Sequence, residues 1–177
     1  MHQVSTANPK SSDAQALLEA LSCTLQQITG SSGKASFDPE DVLVEGACFA
    51  IARTPSGVAI GCGALRPLEP GVAELKRMFS ASGQKGVGSS ILEFLEIKAV
   101  QLGYREVWLE TRRVNQRAVA FYSRHGYNEI QSFGRYVGRP EAICLGKRLH
   151  SASAQLANPS VELTNCSKLQ SAAHLER

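Results

Sequence analysis

The segment from Val72 to Thr111 constrains the fold more than any other part of this sequence. It runs "VAELKRMF", then the glycine-rich "SASGQKGVGSSIL", then an apolar-periodic stretch to Leu102, then "REVWLET". A strand, a loop, a helix and a second strand make a βαβ crossover, which should be right-handed and should pair its two strands in parallel. The helix is expected from about Gly88 to Leu102, because Leu92, Leu95, Ala99 and Leu102 recur at helical spacing while Glu93, Glu96 and Lys98 can face water. Alternation in the first strand is broken by Glu74, Lys76 and Arg77. The loop carries Gly83, Gly86 and Gly88 within six residues. Glycines at a helix start bring unpaired backbone N–H groups close to an anion, and the helix dipole favours negative charge there.

Strand and helix signals continue on both sides of the crossover. A short strand is expected at Gln3–Thr6. A helix follows in "SSDAQALLEALSCTLQQITG", where Ser12 and Gln15 have capping-box spacing, Leu17, Leu18, Leu21 and Leu25 form a stripe, and Gly30 can end it. "DPED" opens a helical turn, and "ACFAIART" and "GVAIGCGAL" read as a hairpin turning at "PSG". After the crossover, "NQRAVAFYSRHG" reads as a short helix capped by Asn115 and stopped by Gly126. "YNEIQSF" and "AICLGKRL" read as closing strands around the turn "GRYVGRP". Residues 1–149 are therefore expected to form one domain. From His150 the periodicity is lost and Ser, Ala and Asn dominate, which predicts a flexible or loosely docked tail over 150–177.

Composition excludes several classes. The apolar runs are too short to span a membrane, and "MHQVSTANPK" has no signal core, so a cytoplasmic protein without membrane partners is expected. The five cysteines show no metal-ligand or CxxC spacing, which predicts reduced thiols, largely buried, and no metal site. Residues 101–150 carry nine basic and four acidic side chains, against two and six in residues 1–50. That asymmetry favours an anionic ligand near the later half. The arginines lack aromatic interleaving, so nucleic acid is not an expected partner.

Three anionic ligands fit a glycine loop at a helix start. A nucleoside triphosphate site wants GxxxxGK[ST], whereas Lys85 precedes Gly86 and no lysine follows Gly88, so that reading fails. A dinucleotide site wants GxGxxG, and Ile91 stands at the third glycine, which weakens that reading; Glu110 at the end of the next strand keeps it open. The third ligand is the pyrophosphate of coenzyme A, held by successive N–H groups of Gln84, Lys85, Gly86, Val87, Gly88 and Ser89.

The ordered set of "GVG", Asn115 after a strand, Ala118 and "FY" ahead of "HGY" resembles the GNAT superfamily of N-acetyltransferases, in particular its small bacterial-type members. The likeness extends to "YVGRPEAICLGKRL" and covers roughly residues 1–149, with its specific motifs between Glu74 and Tyr127. Gly83 departs from the pattern, standing where Gln or Arg is usual.

The resemblance implies an α/β (mixed α+β) acyl-CoA N-acyltransferase fold: a mostly antiparallel twisted sheet with a central splayed parallel pair, flanked by helices. It implies an enzyme moving an acetyl group from acetyl-CoA to a primary amine of a small molecule or peptide, by direct attack in a ternary complex. The alternative is a non-catalytic acyl-CoA-binding or regulatory module on the same fold. Met78, Phe79 and Ser80 would offer backbone groups to the pantetheine arm, and Asn115 would contact the cofactor as well as cap its helix. Tyr122 would donate to the departing sulfur. Glu74 or Glu110 could serve as base, and the resemblance favours Glu74. Phe133, Arg135 and Tyr136 would line the acceptor pocket with the region Leu21–Asp41, and Arg135 would favour a carboxylate-bearing acceptor. His125 is expected to cap rather than catalyse. A homodimer is compatible with this reading.

Overall fold

The crossover forms as its pattern predicts. In the computed structural model, which describes residues 2–149, strands β1 (Gln3–Thr6), β2 (Cys48–Arg53), β3 (Ala59–Glu69), β4 (Val72–Ser80), β5 (Glu106–Arg112), β6 (Asn128–Glu129) and β7 (Ala142–Arg148) make one sheet. Helices α1 (Ser12–Thr29), α2 (Val87–Gln101) and α3 (Gln116–Arg124) flank it. The strand order is β1-β2-β3-β4-β5-β7-β6, and β4 and β5 run in parallel while every other neighbouring pair is antiparallel. This is the mixed α/β architecture expected from the sequence. The tail expected over 150–177 lies outside the described residues.

One face of the sheet packs on α2 and α3. Ala73 and Leu75 of β4, Val107 and Leu109 of β5, and Ile91, Leu92, Leu95 and Ala99 of α2 share one buried cluster with Tyr122 and Tyr127. Leu95 is fully buried, so truncation to alanine should cost about 2–5 kcal/mol. The other face packs on α1, where Ala14, Leu17 and Leu18 meet Phe49, Ile51, Cys62 and Ala64.

Several elements differ in detail from the sequence reading. Ser11, not Ser12, caps α1, its hydroxyl accepting from the N–H of Ala14; Ser12 is the first helical residue, so its spacing to Gln15 makes no box. Leu102 is the C-cap that follows the last residue of α2 and stays 43% exposed, outside the buried helical stripe that ends at Ala99. Glu96 does not face water: it takes an ion pair from Lys147 at 2.7 Å and a hydrogen bond from Tyr127 Oη. The strand expected across "YNEIQSF" is only Asn128–Glu129, after which the chain turns into the short 3₁₀ turn Gly134–Tyr136.

The feature that positions the site is a splay between β4 and β5. They pair only at Val72–Glu106, Ala73–Val107 and Glu74–Trp108, while β4 continues to Ser80 and β5 to Arg112. On its other edge β4 stays with β3 as far as Ser80, through a bulge in which Arg77 and Met78 together face Gly63. A bulge bends its strand and increases its twist, which turns β4 away from β5. Arg77 takes a positive φ of 54° at this point, alone among the described non-glycine residues. Gly63 is required opposite it: an added Cβ would lie 2.5 Å from Met78 Sδ and 2.8 Å from both Ile91 and Leu95.

Candidate active site

The splay opens into a cavity of about 210 Å³ bounded by β4, β5, the end of α1 and the turns after it, and α3. Leu75, Lys76, Arg77 and Met78 form the β4 wall. Glu110, Thr111 and Arg112 form the β5 wall, and Asn115, Ala118 and Tyr122 close the α3 side. Leu21, Leu25, Thr29, Gly33 and Ser36 come from the early helical region, and Arg135, Tyr136 and Arg139 from the turn before β7.

Tyr122 lies where the sequence reading placed it. It is buried, edge-on to Phe121 and Tyr127, and its hydroxyl has no hydrogen-bond partner among the described residues. Burial pushes the phenol well above its ordinary range, so it stays protonated near neutral pH. Asn115 performs its capping role, its side-chain oxygen accepting from Ala118 N–H while the residue borders the cavity.

Glu74 does not lie in the cavity wall. Its carboxylate is 2% exposed and fully engaged: Arg66 donates to Oε2 at 2.9 Å, Tyr136 Oη donates to Oε1 at 3.0 Å, and Lys76 Nζ lies 3.5 Å from Oε1. Arg66 also bonds Asp41, and Lys76 donates to Tyr136 Oη at 2.7 Å. The group joins β3, β4, the 3₁₀ turn Pro39–Val42 and the turn Gly134–Tyr136, so it fixes the loops over the cavity to the sheet. A carboxylate clamped between two cations, without access to the cavity, is poorly placed to take a proton from a ligand.

Glu110 is the carboxylate that does border the cavity. Burial raises its pKa, and Lys76 and Arg112 oppose the rise. Lys76 itself is shifted down by burial, against the pull of Glu74. Phe133 is also displaced from its expected role: it packs behind the wall, its ring 5.4 Å from Trp108 and 5.3 Å from Tyr136. Tyr136 and Arg135 do border the cavity, Arg135 anchored by a 2.9 Å bond to Ala35 O.

The glycine loop stands at the start of α2, outside the cavity lining. Gly86 caps the helix with φ 76°, and Ser90 is the first residue whose N–H returns to the loop, to Gly86 O. The N–H groups of Val87, Gly88 and Ser89 precede that bond and have no intrahelical acceptor. Gln84 departs from the expected cradle, since its N–H turns back to Ala81 O at 3.4 Å. Gly83 has φ 79°, a conformation that disfavours the Gln or Arg of the family pattern. Lys85 is exposed on the loop. His125 ties α3 to this site: Nδ1–H donates to Phe121 O, leaving Nε2 to accept from the Ser89 hydroxyl at 3.0 Å.

Met78 reaches the cavity, whereas Phe79 packs into the α1-side cluster and Ser80 pairs with Gly61. Four cavity cations, Lys76, Arg77, Arg112 and Arg139, drew no role from sequence. The broken alternation of β4 was the one signal available for Lys76 and Arg77; Arg112 and Arg139 had none beyond the basic bias of their region. Cys48, Cys62 and Cys144 are buried, as expected for reduced thiols, and Cys23 is exposed. Burial pushes the Cys62 thiol up to about 12. Among the described residues no helix is long and apolar enough to cross a membrane, and no cluster of metal-ligating side chains occurs.

A parallel pair that splays beside an open helix N-terminus defines an acyltransferase-type scaffold. Residues 14–127, more than half of the chain, match the model of the acetyltransferase (GNAT) family, and the chain belongs to that family. It is 34% identical over 104 residues to the IAA acetyltransferase of Azospirillum brasilense, spanning 57% of this chain and 67% of that one. A Klebsiella pneumoniae subsp. pneumoniae MGH 78578 protein assigned as an acyl-CoA N-acyltransferase superposes with TM-score 0.72 at 28% identity, covering 85% of this chain and 99% of that one. An aminoglycoside 6'-N-acetyltransferase complexed with coenzyme A shares the fold, with TM-score 0.61 at 15% identity over 84% of this chain and 98% of that one.

Proposed function

We propose that this protein transfers an acetyl group from acetyl-CoA to a primary amine of a small molecule or peptide, directly and within a ternary complex. The observation that carries this reading is the cavity between the splayed strands, with Glu110 on one wall and the unpartnered Tyr122 hydroxyl on another. Acetyl-CoA fits the molecule at both ends. The free N–H groups of Val87, Gly88 and Ser89 suit its pyrophosphate, with Lys85 adding charge, and the unpaired β4 edge from Leu75 to Ser80 suits an extended amide-bearing arm. Met78, Phe79 and Ser80 take part through their backbone on that edge. Asn115 flanks the arm from the α3 side.

Acetyl-CoA supplies an activated thioester. Glu110 takes the proton that the attacking ammonium must lose, and burial gives it the basicity to do so. As the new N–C bond forms and the C–S bond breaks, Tyr122 donates its proton to the sulfur, and the second proton shed by the nitrogen restores the phenol. No cysteine borders the cavity among the described residues, and burial holds Cys62 as a thiol, so an acetyl-cysteine route is disfavoured. Arg135 and Tyr136 border the acceptor end, and Phe133 supports Tyr136 from behind.

Two measurements test the reading. Acetyl-CoA should raise the melting temperature, and an amine panel of amino acids, polyamines, aminoglycosides and peptides should release thiol with at least one member. Stabilisation without thiol release from any amine would instead favour a binding or regulatory module.

A further inference from the structure

The cavity as a whole is cationic beyond what the fold requires. Five cations border it, Lys76, Arg77, Arg112, Arg135 and Arg139, against the single carboxylate Glu110. Lys76 is neutralised by Glu74, and Arg112 by Glu141 at 2.8 Å. Arg77, Arg135 and Arg139 have no carboxylate within ion-pair distance among the described residues.

Arg77 is the unusual member. It occupies the bulge that creates the splay and takes the left-handed φ of 54°. Its guanidinium is drawn into the fold by neutral groups only: the Ser22 hydroxyl at 2.9 Å, Ser32 O at 3.3 Å and the Phe37 ring at 5.5 Å. Its Nε–H is buried with no acceptor, the sole orphan of this kind among the described side chains. The carboxylate whose field reaches it, Glu19, is already paired with Lys34 at 2.7 Å. A partly desolvated guanidinium with an orphan donor and a strained backbone is costly unless an anion completes it.

We propose that the acceptor amine carries a carboxylate, and that Arg77 receives it on the α1 side of the cavity while Arg135 and Arg139 add positive potential at the rim. This rests on the acetyl-transfer reading and names the substrate class for it. The anionic end of acetyl-CoA is not the missing partner. Its site at Val87–Ser89 lies outside the cavity lining, and the arm that crosses the cavity is uncharged. Arg77 and Glu110 border the same cavity, so one acceptor molecule can present its carboxylate to the first and its amine to the space beside the second. The guanidinium's planar fork suits a carboxylate better than a lone cation would.

The test is thiol release from acetyl-CoA with the common L-α-amino acids, each beside its primary amide, on wild type, Arg77→Met and Arg77→Lys. At least one amino acid should exceed its amide in kcat/KM by about ten- to a hundredfold, the range for a charge-assisted hydrogen bond. Arg77→Met should bring that ratio close to one, and Arg77→Lys should restore part of it. Thermal stabilisation by acetyl-CoA checks that each variant is folded. Amides used as well as acids, or a preference that survives Arg77→Met, would overturn the carboxylate site while leaving the transferase standing. If no amine releases thiol, the transfer reading fails, and the site is then read by N-acetyl amino acids. They should raise the melting temperature of wild type more than their amides do, and should lose that advantage in Arg77→Met. Equal shifts, or none, overturn it.

Discussion

Glu74 and Glu110 stand on neighbouring parallel strands, two register positions apart, yet only Glu110 borders the cavity. Glu74 pairs with Trp108, the last rung before the splay, and its carboxylate is consumed by Arg66, Tyr136 and Lys76. The two should therefore fail in different ways when substituted, one in turnover and the other in stability. Glu110→Gln should lower kcat by about 10²–10⁴-fold, the usual contribution of a positioned base, with little loss of stability. Glu74→Ala should cost about 3–5 kcal/mol of stability, because Lys76 is left buried without its partner. Denaturant melts beside steady-state rates separate the two.

The pH profile follows from the burial of Glu110. Its pKa is raised above 4.5, so the acid limb of kcat/KM, which reports the free enzyme, should have its midpoint above the ordinary carboxylate range, and Glu110→Gln should flatten that limb. Stability has the opposite sign. The folded state binds this proton more tightly than the unfolded chain, so Glu110 contributes most at low pH. That contribution is lost as pH rises from 4.5 through the raised value. Wild type should therefore lose stability relative to Glu110→Gln across that window, measured by melts at stepped pH.

Tyr122→Phe removes one oxygen from a ring that otherwise packs in the core. Among the described residues the hydroxyl has no partner to orphan, so the fold should hold. Turnover should fall by about 10²-fold or more with acetyl-CoA affinity nearly unchanged. Rates compared with calorimetric affinity would show the split; an unchanged kcat removes Tyr122 as the acid.

Gly86 has φ 76° and caps α2 without any side-chain bond. Gly86→Val should strain the turn by about 1–3 kcal/mol and displace the N–H groups of Val87–Ser89. Thermal stabilisation by acetyl-CoA should then largely disappear, whereas retained stabilisation would move the phosphate site elsewhere.

The crossover, its parallel pairing and the caps at Asn115 and Gly30 were legible because each is written in neighbouring residues. The fate of the charges on β4 was not. Glu74 and Lys76 share a strand face, but their burial depends on Arg66 from β3 and on Tyr136, sixty or more residues along the chain. No local pattern announces such a pairing. The bulge at Arg77 was hidden for a similar reason, since it needs a residue without a Cβ, Gly63, opposite it on the adjacent strand. Phe133 and Tyr136 are both aromatic residues on one turn, and only packing against Trp108 decides which of them faces the cavity.

Direct transfer between two co-bound substrates is most directly tested by steady-state thiol release with acetyl-CoA and a productive amine varied together. Intersecting double-reciprocal lines, with turnover collapsing in both Glu110→Gln and Tyr122→Phe, are the predicted result. Parallel lines, or rates indifferent to both substitutions, would contradict it.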